Sequence, residues 1–322
     1  MTIFLDERCV SELVKMDDAL DAVEEVFREA GNGAVTNVPR VRAPLKNGIL
    51  RITAGILNYR GYYGIKVSST TVFGSNAGRI FCLYREESGE LCAIVQVFGL
   101  GALRTGAASG IATKYMANDD ASSLGVIGSG RQARTQVEAI ARVRPIRSVR
   151  VFSRDQQRRE AFCAAIGAGL GIKAQGAASP QEAVAGCDIV VTATTATAPV
   201  LLGRWLAPGT HINAIGANYE HRRELDSDAV ARASVIATDD REQVQYESTD
   251  LAEPVKEGRL RWDMVHGLGE IVAGKIPGRT ARTDITLFKS LGVAIEDVAL
   301  AARAYERALE RGIGDKLPNL AG

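Results

Sequence analysis

One short stretch constrains this chain more than any other. From Ser123 to Ala133 it reads Ser-Leu-Gly-Val-Ile-Gly-Ser-Gly-Arg-Gln-Ala, an apolar strand run that passes through a Gly-x-Gly-x-x-Ala turn into a helical pattern from Gln132 to Ala141. Gly128 turns the chain and Gly130 lets the backbone approach a pyrophosphate, which the free N–H groups at the helix start then bind. A second strand, Ser148 to Ser153, follows at about the twenty-residue interval such a unit requires. The segment predicts a dinucleotide site with Gly128, Ser129, Gly130, Arg131 and Gln132 around the phosphates. The alternative for the same glycines is a packing turn without a ligand.

The tip of the second strand bears on which dinucleotide. Val149-Arg150-Val151-Phe152 ends in Ser153-Arg154, where an acidic residue would bind the ribose hydroxyls of NAD. Arg154 and the Ser153 hydroxyl are instead the groups a 2′-phosphate needs, with Arg158 or Arg159 a turn further on. NADP(H) is favoured, and NAD(H) stays open because Asp155 is one residue away. Thr194 and Thr195, just past another strand, are further nucleotide candidates or plain strand-end residues. Arg142, Arg144, Arg147 and Arg150 are expected on the surface.

The strand-helix alternation continues through Gln156–Gly167, Ile189–Ala193 and His211–Ile215, which predicts a parallel, doubly wound sheet. Earlier in the chain the pattern differs. Cys9–Ala30 has helical spacing, and short alternating segments follow at Val38–Leu45, Ile49–Ile56, Tyr62–Ser68, Ile80–Arg85 and Leu91–Val97. A small-residue helix is expected over Leu103–Ala117 and a long one over Val293–Arg311, which would return to the first domain. The reading is α/β: a Rossmann doubly wound domain over 121–289 and a discontinuous α+β domain over 1–120 plus 290–322.

With 39 Lys and Arg against 38 Asp and Glu, no net field draws the chain to nucleic acid or an anionic membrane, so the expected partner is a small molecule. Asp6, Glu7 and Arg8 interrupt any export signal, and no run of 18 apolar residues occurs. Five widely spaced cysteines suit reduced thiols and a cytoplasmic location. Three histidines with no metal-ligand spacing give no expected metal site.

Several segments together are similar to one known family. They are Leu103-Arg104-Thr105-Gly106-Ala107-Ala108-Ser109-Gly110, Gly128 to Ala133, Gly209 to Ala217 with Glu224-Leu225-Asp226, Leu268 to Gly274, and Gly292 to Ala299. In order and spacing the chain resembles the ornithine cyclodeaminase and mu-crystallin family of NAD(P)-dependent proteins. The resemblance implies hydride exchange at the α-carbon of an amino acid or its imine. It also implies a homodimer whose first domain carries the substrate site and the dimer interface, while the Rossmann domain carries nucleotide.

Arg104 is expected at the start of its helix, where a guanidinium and free N–H groups both favour an anion; by resemblance it holds the substrate carboxylate. Arg40 and Lys66 match segments that line the family's substrate pocket, and Lys66 can bind the carboxylate or, with neighbouring cations lowering its pKa, give a proton. Arg51 is carried over as a weaker substrate contact, and Ile215, Gly216 and Ser290 as nucleotide contacts, Ser290 having a helix cap as its alternative. Arg79 is either a turn cation or a contact for a second carboxylate. Asn218 stands where the family's cyclodeaminases have Asp. An amide orients substrate but takes up no proton near neutral pH, so Lys66 and Asn218 fit a reductase of a small α-imino acid, reversible as an amino-acid dehydrogenase. The imine would be a ketimine, iminosuccinate-like or cyclic. Cyclodeamination of ornithine or lysine, and non-catalytic NADP(H) binding, are the alternatives. His211 is expected to be a packed, hydrogen-bonded residue.

Overall fold

The computed structural model describes residues 2–71, 79–219 and 221–318. The chain forms two compact units, Met1–Arg104 with Gly292–Gly322, and Thr105–Leu291.

The first unit contains β1 (Ile3–Leu5), α1 (Glu7–Leu13), α2 (Met16–Gly31), β2 (Val35–Leu45), β3 (Gly48–Leu57), β4 (Tyr62–Thr71), β5 (Ile80–Arg85) and β6 (Leu91–Gln96). Helix α3 (Phe98–Met116) runs through the boundary between the units. The second unit continues with β7 (Ser123–Ile127), α4 (Arg131–Val143), β8 (Ser148–Phe152), α5 (Gln156–Leu170), β9 (Lys173–Gly176), α6 (Pro180–Val184), β10 (Ile189–Thr192), β11 (His211–Ala214), α7 (Ser227–Ala231), β12 (Ala233–Thr238), α8 (Gln243–Glu247), α9 (Thr249–Lys256), β13 (Val265–Gly267), α10 (Leu268–Val272) and β14 (Ile285–Lys289). The chain then returns to the first unit with α11 (Ala294–Arg311) and β15 (Asp315–Lys316).

The first sheet has the order β15-β1-β6-β5-β4-β3-β2. From β2 to β6 it is an antiparallel meander, and β1 joins β6 in parallel. One face takes α11. Gly55 lies so close to that helix that a Cβ would stand 2.9 Å from the Ile295 nitrogen. Along this face the cross-strand pairs run Leu57–Tyr62, Gly55–Gly64, Thr53–Lys66 and Arg51–Ser68, so the surface turns from apolar to polar where α11 begins. The opposite face stays apolar: Val41, Ile52, Val67 and Ile80 stand in one registered row across β2 to β5, with Val41 54%, Val67 39% and Ile80 41% exposed.

The second sheet is parallel throughout, in the order β13-β12-β14-β11-β10-β7-β8-β9. From β7 the chain winds outward through β8 and β9, then crosses to β10 on the other side of β7. That reversal makes the carboxyl ends of β7 and β10 the crevice in which a doubly wound sheet takes its ligand. The α/β class and the two kinds of sheet agree with the sequence reading. No helix of the described residues is long and apolar enough to cross a membrane.

Several local expectations need correction. Cys9–Ala30 is not one helix: α1 ends at Leu13, and α2 restarts at Met16 with the Lys15 N–H donating to the Asp18 carboxylate (2.9 Å). Helix α3 begins five residues early, at Phe98, because the Glu7 carboxylate accepts the N–H groups of Phe98 and Gly99. Arg104 is therefore inside that helix and not at its start. The carboxyl half of α3 packs within the second unit, where the Gln136 amide donates to Thr105 O (3.0 Å) and the Asn213 amide to the Thr113 hydroxyl (3.0 Å); the compact units accordingly part at Arg104, inside α3, whereas the sequence reading puts the domain boundary between residues 120 and 121. Arg144 is buried, not on the surface, its guanidinium donating to the carbonyls of Lys114, Ala117, Asn118 and Val143. Arg150 donates to Ala185 O. Ser290 does not cap the last helix: Val293 is its N-cap.

Candidate active site

In the first unit, three cations meet two carboxylates. Lys66 on β4 pairs with Asp297, and Arg104 on α3 donates to Glu296 (2.9 Å) and Asp297 (3.3 Å). Glu296 and Asp297 are fully buried in the first turn of α11, the end of a helix that stabilises negative charge. Arg40 lies in the β2 register shift between Val38 and Val41, a bulge that re-aims its side chain, and it donates to Gly292 O. Gly292 has a φ of 72° and lies against Arg104, where a Cβ would come within 2.2 Å of Nη1.

The electrostatics follow from this crowding. Burial pushes the Lys66 ammonium down to about 8, with Arg104 and Arg40 pushing the same way and Asp297 opposing them. Burial works against the charge of Asp297, but Lys66 and Arg104 outweigh it and hold that carboxyl below its usual range. The formal charges of Arg40, Lys66, Arg104, Glu296 and Asp297 leave one positive charge. Arg51 is on the same sheet face, opposite Ser68 and two residues from Thr53. Arg79 stacks over the Phe98 ring at 5.4 Å, as a turn cation does.

In the second unit the Gly-rich turn has the conformation its sequence predicts. Gly128 has a φ of 119°, and a Cβ there would stand 2.4 Å from Ala193 O, so only glycine lets β7 turn this close to the exit of β10. Helix α4 starts at Arg131 with no side chain capping it, and the position a Cβ would take on Gly130 is open. The buried Gln132 Oε1 has no hydrogen-bond partner among the described residues. The uncapped helix start and the open space beside Gly130 fit a dinucleotide pyrophosphate laid across this turn. Ser129 donates to the Ser153 hydroxyl (3.0 Å), which brings the turn and the tip of β8 together. Asp155 caps α5 by accepting the Arg158 N–H (3.0 Å), while the Arg154 side chain is exposed.

Thr194 donates its N–H to Glu224 (2.6 Å), and Gly216, next to the buried Ile215, does the same (2.7 Å). Thr195 is exposed, Asn218 is partly buried, and the Ser290 hydroxyl donates to Asp239 (3.2 Å). His211 is buried, with Nδ1 2.9 Å from the Thr286 hydroxyl.

Sequence reasoning gave no role to Glu296, Asp297, Glu224 or Asp250, and placed Lys289 only within a segment that approaches the nicotinamide by resemblance. For the first two the signal was present: adjacent acids inside the apolar run Val293–Leu300 are a buried pair awaiting cations. Among the described residues no three His, Cys, Asp or Glu side chains group as a metal site.

A parallel sheet reversed at β7, with an uncapped glycine turn at its carboxyl edge, defines a dinucleotide-binding α/β protein. The comparisons are more specific. The model of the ornithine cyclodeaminase/mu-crystallin family matches residues 1–312. Alanine dehydrogenase of Archaeoglobus fulgidus is 35% identical over 322 residues, 98% of each chain. Among solved structures, Δ1-pyrroline-2-carboxylate reductase of Thermococcus litoralis in complex with NADH and L-proline superposes with a TM-score of 0.93 at 35% identity, covering 98% of this chain and 100% of that one. An archaeal alanine dehydrogenase dimer with bound NAD gives 0.93 at 34% identity, with 99% of each chain covered. The chain belongs to the ornithine cyclodeaminase/mu-crystallin family.

Proposed function

We propose that this protein is an NAD(P)H-dependent reductase of a small α-imino acid that also runs in reverse as an amino-acid dehydrogenase. The observation that carries the reading is the buried cluster around Lys66, whose one surplus positive charge complements a substrate carboxylate. In it Arg104, fixed by Glu296 and Asp297, and Arg40 bind the carboxylate bidentately or from two sides. Lys66, with its pKa near 8, holds a proton at neutral pH and gives it up readily, as a general acid should. Asn218 orients the nitrogen or a water without taking a proton. The nicotinamide, when bound, supplies the hydride. Arg51 contributes to the cationic cluster of the first unit, and Gly128, Ser129, Gly130, Arg131, Gln132, Thr194, Thr195, Ile215, Gly216 and Ser290 of the second unit are the nucleotide contacts.

NADP(H) is the preferred cofactor in this reading, because Asp155 is engaged as a helix cap and the exposed Arg154 is placed to meet a 2′-phosphate, which the Ser153 hydroxyl can contact by giving up its bond to Asp155 O. The protein works as a homodimer through the apolar row Val41, Ile52, Val67 and Ile80, a face that α11 does not cover. That a relative of similar fold is a dimer supports this assembly.

The test is spectrophotometric. NADPH and NADH are each mixed with pyruvate, glyoxylate or oxaloacetate plus ammonia or methylamine, and with cyclic imines. The expected result is loss of reduced-nucleotide absorbance with at least one imine. Release of ammonia from ornithine or lysine without net absorbance change would replace the reductase by a cyclodeaminase, and binding without turnover across the panel would leave a nucleotide-binding protein.

A further inference from the structure

Behind the carboxyl edge of the second sheet lies a charged cluster that the proposed chemistry does not use. Thr192, Ala214 and Lys289, the last residues of β10, β11 and β14, are in register with one another. Glu224, fully buried, joins two of these strand exits: Oε1 accepts the Thr194 N–H (2.6 Å), and Oε2 accepts the Gly216 N–H (2.7 Å) and the Thr192 hydroxyl (2.9 Å). Asp250, also fully buried, accepts the N–H groups of Glu224 (2.7 Å) and Leu225 (2.9 Å) and pairs with the buried Lys289 ammonium at 3.0 Å. Two carboxylates and one ammonium thus sit behind the edge, all without exposure.

Burial raises the Glu224 pKa and Asp250 adds to the shift, while Lys289 and the Thr194 N–H oppose them. The two backbone N–H groups that Glu224 accepts favour its ionised form. With Glu224 held ionised by those two N–H groups and the Thr192 hydroxyl, the trio carries one uncompensated negative charge; with Glu224 protonated it is neutral and favours neither charge state of a ligand.

The winding of the sheet says what lies over it. With the pyrophosphate on the Gly128 turn and one ribose at the tip of β8, the other nucleoside of a dinucleotide extends across the switch point to the exits of β10 and β11. Those are the exits that Glu224 joins. A reduced nicotinamide ring is neutral and an oxidised one carries a positive charge, so a buried negative charge beneath it acts on one form only.

We infer that the Glu224–Asp250–Lys289 cluster biases the nucleotide site toward the oxidised nicotinamide, lowering the dissociation constant of the oxidised form relative to the reduced form. This rests on the dinucleotide reading above. It gives the site a sign: the same charge that steadies the oxidised product favours completed reduction of the imine and opposes departure of the oxidised nucleotide.

The experiment measures the dissociation constants of the oxidised and reduced nucleotides by titration calorimetry, without substrate, for the wild type, Glu224→Gln, Asp250→Asn and Thr192→Val. Each of the first two removes one negative charge, and the ratio of oxidised to reduced dissociation constants should rise at least about fivefold, the effect of a unit charge about 4 Å away even at the dielectric constant of water. Asp250→Asn carries the test if Glu224→Gln does not fold. Thr192→Val removes a hydrogen bond to Glu224 but no charge, and should weaken both forms alike with the ratio held. A ratio within about twofold of wild type in the charge-removing variants, or an equal rise in Thr192→Val, overturns the inference while leaving nucleotide binding intact. A wild-type protein that binds neither nucleotide overturns the dinucleotide reading itself.

Discussion

Lys66 and Asp297 are 231 residues apart in the sequence, and their ammonium and carboxylate are paired within the first unit. One is brought by a strand that forms early in the chain, the other by the last long helix. The pair is poised because each partner opposes what burial does to the other.

That opposition predicts a pH profile. With the Lys66 pKa at about 8, imine reduction should be fast below that pH and fall as pH rises through it, since the proton donor is then lost. Lys66→Met should lower kcat by roughly 100-fold or more, the usual worth of a positioned acid, and abolish this limb. Asp297→Asn removes the charge that supports the protonated lysine, so the limb should move to lower pH. Steady-state rates between pH 6 and 10 check all three outcomes.

Arg104→Ala should raise the substrate KM greatly while nucleotide affinity stays within about twofold, because the arginine belongs to the carboxylate clamp. The loss of one charge-assisted hydrogen-bond partner is worth about 1.5–3 kcal/mol. Unchanged substrate kinetics would remove Arg104 from the site.

Arg154→Ala should weaken NADPH more than NADH, by about 1.5–3 kcal/mol. Fluorescence titration of both nucleotides measures the difference, and equal losses would rule out a phosphate contact.

His211 makes a prediction about stability. Burial, helped by Arg279, pushes its pKa from 6.5 down to about 3. Between those values the unfolded chain binds a proton that the folded protein refuses. Folding should therefore lose about 1.4 kcal/mol per pH unit from this group as pH drops below roughly 6. Thermal melts of His211→Gln at pH 7 and pH 5 should show a smaller acid-induced fall in Tm than the wild type.

Val67→Glu puts a charge into the apolar row on the uncovered face of the first sheet. Desolvating that charge between two copies is costly, so sedimentation should show a monomer where the wild type is a dimer. A wild-type monomer would overturn the homodimer, and a dimer that tolerates the substitution would move the interface elsewhere.

Both an alternating strand and an apolar strand buried on its two faces were legible in the sequence. Ile80–Arg85 and Ser123–Ile127 have the bounds their patterns predict, and the long last helix differs by one residue. What was not legible depends on partners far away in the chain. Nothing near Phe98 announces a helix start, because its cap is Glu7, 91 residues earlier. Apolar spacing runs unbroken through Val14, so the break between α1 and α2 leaves no trace in the periodicity. The glycine turn was clear because its local conformation is its function. The Lys66 cluster was visible only as scattered cations; its carboxylates come from a helix that the sequence marks as core.

The first unit is sewn from both ends of the polypeptide, while Thr105–Leu291 is contiguous. On a ribosome the second unit can therefore close as soon as it emerges. The first sheet must wait, its Gly55–Gly64 seam bare and Lys66 without Asp297, until the final helix has been made. A chain truncated before Gly292 should accordingly fold its parallel sheet and leave the antiparallel one open to proteolysis.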